Sequence, residues 1–267
     1  MIARLLGCFV LLCAVAGSAA EPIVPEQTIK LLPDSGLAGW ESYLQASGRE
    51  DPRGVFKIKE GVLHISGDDR GYLATRDAYA NYHLSLEYQW GQHRSDDSKY
   101  VRNSGVLLHA IGEHGNAKPW MTSVEVQLAQ GCEGDLILIR GKDASGKQHP
   151  ATLTSNTKLD TDKRTRWDAH GTKTVYSGKQ FWWNKHDPTF EELLDTRGRW
   201  DVASPLGKWT KVDCICRDDK ITIQINGQTV NEVYAVQPSA GRILLQNEGY
   251  ELFFRNVTLS PLEKASP

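Results

Sequence analysis

The chain has 267 residues, of which 31 are basic and 33 acidic, giving a formal net charge of −2 at pH 7. A balance so close to neutral, with no basic stripe, excludes the electrostatic footprint of a nucleic-acid binder. With 40% hydrophobic and 24% charged residues, the composition is that of a chain able to bury a large core without disulfide support.

The first twenty residues, MIARLLGCFVLLCAVAGSAA, have the layout of an export leader. Arg4 supplies the positive end, residues 5–17 the apolar core, and Ser18-Ala19-Ala20 the small-residue cleavage site. The expectation is cleavage near Ala20 and release to the periplasm or the exterior. No later stretch approaches the ~18 apolar residues of a membrane span. Residues 21–267 then read as a single domain. Cys132, Cys214 and Cys216 survive cleavage; an odd count allows one bridge at most. The reading is buried free thiols, with no zinc-ligand spacing.

Past a loose segment at 21–28, "VFKIKEGVLHI" is two alternating runs around Glu60-Gly61, a hairpin signal. Residues 82–90 alternate cleanly: Leu84, Leu86, Tyr88 and Trp90 on one face, His83, Ser85, Glu87 and Gln89 on the other. Two further strands are expected at about 103–110 and 122–129. Alternation puts Asn103, Gly105, Leu107 and His109 on one side of the first. It puts Ser123, Glu125 and Gln127 opposite Val124, Val126 and Leu128 in the second. From about 141 to 207 the pattern dissolves into a long insertion carrying Trp167, Trp182, Trp183 and Trp200, weakly helical near 189–196. This length of irregular chain suggests covering loops or a lid. Alternation returns after 208. Asn226-Gly227 supplies a type I′ turn, and "GRILLQ" and "YELFFRNVTLSPL" close the fold. Many short strands between turn signals predict an all-β sandwich of two antiparallel sheets.

Five segments in this order, "GLAGWE", "NSGVLLH", "SVEVQL", "LGKWTKVDCICRDDKITIQINGQTVNEV" and "GRILLQNEGYELFFRNVTL", resemble the 3-keto-disaccharide hydrolase domain family. The resemblance covers most of residues 30–262 and is weakest across 141–207. It implies a concanavalin A-like jelly roll whose concave sheet face binds carbohydrate, acting on glycosides oxidised to a ketone at C3. Asn103 matches the family's Asn-Ser-Gly, Glu125 and Gln127 its Glu-x-Gln strand, and Gln246 its Leu-Gln element. Two positions depart from the pattern. His109 stands where many relatives carry arginine, and Ala129, Gln130 and Gly131 replace the acid that often follows Glu-x-Gln.

Ordinary glycoside hydrolysis needs two carboxylates. The 122–129 strand offers Glu125 alone, so a second acid must come from Glu87, Glu133 or Glu248. A 3-keto sugar needs less: one base to remove the acidified C2 proton and one donor for the enolate oxygen. Glu125 is the expected base and His109 the expected electrophile, with Asn103, Gln127, Gln246, Glu87 and Trp183 as substrate contacts. No metal ligand is assigned. His170, His186, Asp168 and Asp187 match no metal motif, although a divalent ion has room in the scheme. The alternative of another class is a non-catalytic carbohydrate-binding module with Trp182 or Trp183 stacking on sugar. In a competing local reading Glu125 pairs with Arg255.

Overall fold

The computed structural model describes residues 20–95 and 99–263; residues 1–19 of the expected leader lie outside the described residues. The chain enters through β1 (Ile29–Lys30), β2 (Trp40–Leu44), β3 (Phe56–Lys59), β4 (Val62–Ile65), β5 (Arg70–Thr75) and the long β6 (Tyr82–Arg94). The central strands follow: β7 (Gly105–Ile111), β8 (Thr122–Gln127) and β9 (Leu136–Ile139). The insertion supplies β10 (Thr152–Leu159), β11 (Thr165–Trp167) and β12 (Thr172–Val175). The fold closes with β13 (Thr210–Arg217), β14 (Lys220–Ile225), β15 (Gln228–Gln237), β16 (Arg242–Glu248) and β17 (Tyr250–Pro261).

These strands form two antiparallel sheets. The larger runs β11-β10-β15-β14-β13-β6-β17-β4-β3, with β1 on β17 and β12 on β10; the smaller runs β2-β5-β16-β7-β8-β9. No helix occurs among the described residues, and none is long and apolar enough to cross a membrane. This is a lectin-like jelly-roll sandwich. The alternation in the sequence explains the packing. Leu84, Leu86, Tyr88 and Phe254 of the large sheet meet Val106, Leu108, Val124 and Val126 of the small one in a continuous core. Each such side chain contributes roughly 1.5–3 kcal/mol when fully buried. Both expected hairpin turns form, with left-handed φ at Glu60 and Gly61 (52° and 71°) and at Asn226 and Gly227 (48° and 80°).

The structure corrects the sequence reading in three places. Residues 141–207 are not irregular throughout: β10 pairs with β15 and extends the large sheet, β11 and β12 pair with β10, and the 189–196 stretch is not helical. Glu87 lies on β6 of the large sheet, opposite Arg255, and so on the other sheet from Glu125.

His109 leaves the face that alternation assigned to it. The β7–β8 register runs Leu107↔Glu125, Leu108↔Val124 and then shifts to Ile111↔Thr122. A bulge centred on His109, whose φ is 54°, absorbs the extra residue. Its ring therefore turns into the core, edge-on to Tyr82 at 5.7 Å, and its Nδ1 faces the Pro238 carbonyl at 3.1 Å.

Phe254 is fully buried between the sheets. Phe254→Ala is expected to cost about 3–5 kcal/mol of unfolding free energy, read by urea denaturation.

Candidate active site

The outward face of the small sheet gathers acids and amides from neighbouring segments. Glu125 projects there from β8, between Leu107 on β7 and Ile137 on β9. Gly105, two register steps along and so on the same face, pairs with Gln127. A Cβ at position 105 would lie 2.7 Å from Glu125 Oε1 and 3.0 Å from Gln246 Oε1. Glycine thus opens a notch in the face, and Glu125 and Gln246 are its walls. A side chain there would fill it.

Amides bridge the notch to a second acid. In the amide orientation that satisfies its surroundings, Gln127 Nε2 faces Glu125 Oε1 at 3.3 Å, Asn103 Oδ1 at 3.1 Å and the Ser104 carbonyl at 3.0 Å. Asn103 Nδ2 in turn donates to Glu248 Oε2. Glu125 and Glu248 are therefore joined through Gln127 and Asn103. Of the three acids the sequence offered as a second carboxylate, Glu248 is the one that arrives. Glu133 is buried in the core near Tyr88, and Glu87 binds Arg255 through two hydrogen bonds of 2.9 and 3.3 Å. The pairing of Glu125 with Arg255 is thereby excluded.

Glu125 has no cationic partner among the described residues. Burial, reinforced by the charge of Glu248, raises its pKa to about 8. Burial also raises Glu248, with Arg70 opposing the shift. Gln246 is fully buried; its amide lies close enough to Glu125 to oppose the rise of that acid's pKa, but makes no hydrogen bond of ordinary geometry. A buried amide with hydrogen-bonding capacity to spare, beside an acid with no cationic partner, is an arrangement suited to a polar ligand.

Apolar walls stand on both sides. Beneath the β7–β8 connection, Tyr72, Leu107, Met121 and Leu244 form a small cluster with Tyr43 and Trp120 packed on it. On the other side, Val101, Ala129 and Cys132 pack with Trp182 and Phe190 of the insertion. The Arg102–Asp195 ion pair, 3.0 Å, ties the insertion down next to Asn103. Two surface grooves lie elsewhere. One of about 830 Å³ runs along Arg76, Ala110–Gly112 and Arg242, and one of about 590 Å³ lies among β10, β11 and β12.

The structure thus brings together Glu125, Asn103, Gln127 and Gln246, and leaves His109, Glu87 and Trp183 outside. Trp183 is a core residue, 1% exposed, whose indole N–H donates to the Gly131 carbonyl at 2.9 Å. Trp120, two residues before β8, packs on the cluster beside this face, 6.3 Å from the Tyr72 ring. For a divalent ion, His170, Asp168 and Asp187 do not gather around His186. Cys132, Asp135 and His186 do, with ligand atoms within 4.8 Å of one another, a buried set that could hold such an ion. Cys132 was overlooked because its three-residue spacing to Asp135 matches no familiar motif.

The fold and this face define a carbohydrate-active sandwich. Residues 27–260 match the model of the 3-keto-α-glucoside-1,2-lyase-like domain, and the chain belongs to that family. Among solved structures it is similar to a candidate glycosyl hydrolase from Parabacteroides distasonis, at 16% identity and a TM-score of 0.53, over 89% of this chain and 95% of that one. A second candidate glycosyl hydrolase from the same organism aligns at 18% identity and a TM-score of 0.44, over 84% and 99% of the two chains. A carbohydrate-binding module from Bacillus subtilis aligns at 9% identity and a TM-score of 0.46, over 83% and 95%. No curated protein matches the chain.

A carboxyl whose folded pKa is raised withdraws stability as pH climbs. The unfolded chain releases the Glu125 proton near its ordinary value of 4.5, the folded chain only near 8. Stability is therefore lost between those values and is level above them. Glu125→Gln is expected to raise the melting temperature increasingly from pH 4.5 to 8, by the equivalent of on the order of a few kcal/mol at the upper end. Calorimetry of both proteins across that range checks it.

Proposed function

We propose that the protein is an exported enzyme that cleaves 3-keto-glycosides by elimination, with hydration of the product following. The observation that carries this reading is the buried, cation-free Glu125 beside Glu248 in an amide-lined notch. Family membership supports the substrate class.

The chemistry asks little of the protein. A ketone at C3 acidifies the C2 hydrogen, and the Glu125 carboxylate takes that proton. The electron pair passes into an enolate whose oxygen needs a hydrogen-bond donor. The Gln246 amide and the second N–H of Asn103 Nδ2, whose first goes to Glu248, are the donors at hand. Collapse of the enolate forms the C1–C2 double bond and breaks the C1–O bond, and the departing oxygen receives a proton from Glu248 in its acid form. The products are a conjugated enone and the free alcohol; water adding across the double bond returns a 3-keto sugar. One proton shared between two like-charged acids provides both a base and an acid within one site.

A purely sugar-binding module has no use for an acid held against its own ionisation, which only destabilises the fold. Glu248 does favour one second reading, direct two-carboxylate hydrolysis of an unoxidised glycoside. Turnover of an unoxidised disaccharide, with no enone absorbance, selects that reading.

Two outcomes are expected. On a 3-keto-glucoside, Glu125→Gln lowers kcat/KM at least about 10²-fold, followed by the ultraviolet absorbance of the enone; unchanged turnover removes Glu125 from the mechanism. In the parent enzyme kcat/KM rises as Glu125 ionises toward about pH 8 and falls again where the pair has lost the proton that Glu248 must give, a bell-shaped profile. Glu248→Gln removes the like charge that raises Glu125, so in that variant the rise moves to lower pH.

A further inference from the structure

Outside the notch, the molecule gathers three different metal-binding side chains in one buried place. Cys132 and Asp135 come from the β8–β9 connection, and His186 comes from the insertion. All three are buried, and one ligand atom from each lies within 4.8 Å of the other two. Sulfur, imidazole and carboxylate together form a zinc-class donor set.

Each donor is already oriented from behind. His186 Nδ1 donates to the Gly131 carbonyl at 2.9 Å, which leaves Nε2 as the nitrogen with a lone pair. Asp135 accepts from the Trp183 backbone N–H at 2.6 Å and from Gln180 Nε2 at 2.8 Å, and it makes no ion pair among the described residues. Carbonyls and amides behind the donors are the usual supports of a metal ligand set.

The lone pair of His186 Nε2 is taken by a cation. Arg164 Nη1 lies 3.1 Å from it. The same guanidinium stacks over Trp182 at 4.0 Å and faces Glu192 at 3.4 Å. Glu192 adds its negative charge to both Cys132 and Asp135. The Arg164 side chain is 35% exposed, so it has a path to solvent. A positive group on a long flexible arm thus sits against a histidine, beside a buried thiol and a buried acid.

We propose that Cys132, Asp135 and His186 bind one zinc-class divalent ion, with Arg164 as an internal cation competing for the same histidine nitrogen. On binding, Cys132 gives up its proton to solvent as the metal–sulfur bond forms, and Arg164 swings outward toward Glu192. The ion then clasps the 141–207 insertion to the end of β8, just beyond Gln127. It lies outside the carboxylate pair and takes no part in the elimination.

The test uses the purified full chain, freed of metal by a chelator, and titrates it with Co²⁺ and then with Zn²⁺ in competition with a chromophoric chelator. The expected result is one ion per chain, with a thiolate-to-cobalt charge-transfer band in the near ultraviolet. Cys132→Ser is expected to lose that band. Arg164→Ala, which removes the competitor from a partly exposed position, is expected to bind about tenfold more tightly than the parent. Absence of the band from both the parent and Arg164→Ala overturns the proposal. So does a band that survives Cys132→Ser, or an affinity that Arg164→Ala leaves unchanged or weakens. The last comparison stands even if the serine variant does not fold.

Discussion

The site depends on two carboxylates held close together away from water, with no cation paired to Glu125 and only the charge of Arg70 acting on Glu248. Repulsion and desolvation both disfavour the second negative charge, so the pair retains a proton at pH values where an exposed glutamate has lost it. That condition is set by the hydrogen-bonded sheet that carries both acids. The β8 ladder holds Glu125, the β16 ladder holds Glu248, and Gln127 and Asn103 span the gap. A softer frame would let the acids part or reach solvent, and their pKa values would fall back.

The two sheet faces show why polar alternation alone does not make a site. Glu87 and Glu125 both sit on outward faces of central strands, flanked by polar residues. Glu87 meets Arg255, itself stacked over Trp209 at 4.1 Å, and Asn256, and its pKa is lowered accordingly. Glu125 meets amides and another acid. The first arrangement is a stabilised surface pair; the second withdraws stability from the fold and keeps a proton available. Gly105 matters in the same way: a single missing side chain separates a flat sheet from a notch with an acid in its wall.

Much of this was legible in the chain. Alternation in β6, β8 and β14 fixed which side chains face the core, and Asn226-Gly227 fixed a hairpin, because both are properties of a few adjacent residues. Glu125, Gln127, Asn103 and Gln246 were readable as a group because ordered motifs place them on, or just before, neighbouring strands. His109 was misplaced because a bulge resets the period, and nothing local announces that one residue will be left out of the ladder. Trp183 was misplaced because a tryptophan that seals a core and one that faces sugar look alike in sequence. The insertion hid β10, whose pairing partner lies far along the chain in β15.

The amino-acid sequence by itself determined the all-β class, the core-facing residues, the central hairpins and the strand that carries the acid. Those follow from the two-residue period of a pleated strand and from the φ preferences of turn residues, both local. Only the tertiary structure decided that Glu248 rather than Glu87 or Glu133 joins Glu125, that Arg255 is occupied elsewhere, and that Cys132, Asp135 and His186 converge. Those depend on which distant strands become neighbours, and the free energy that selects the neighbours comes from burial of the whole core rather than from any segment of it.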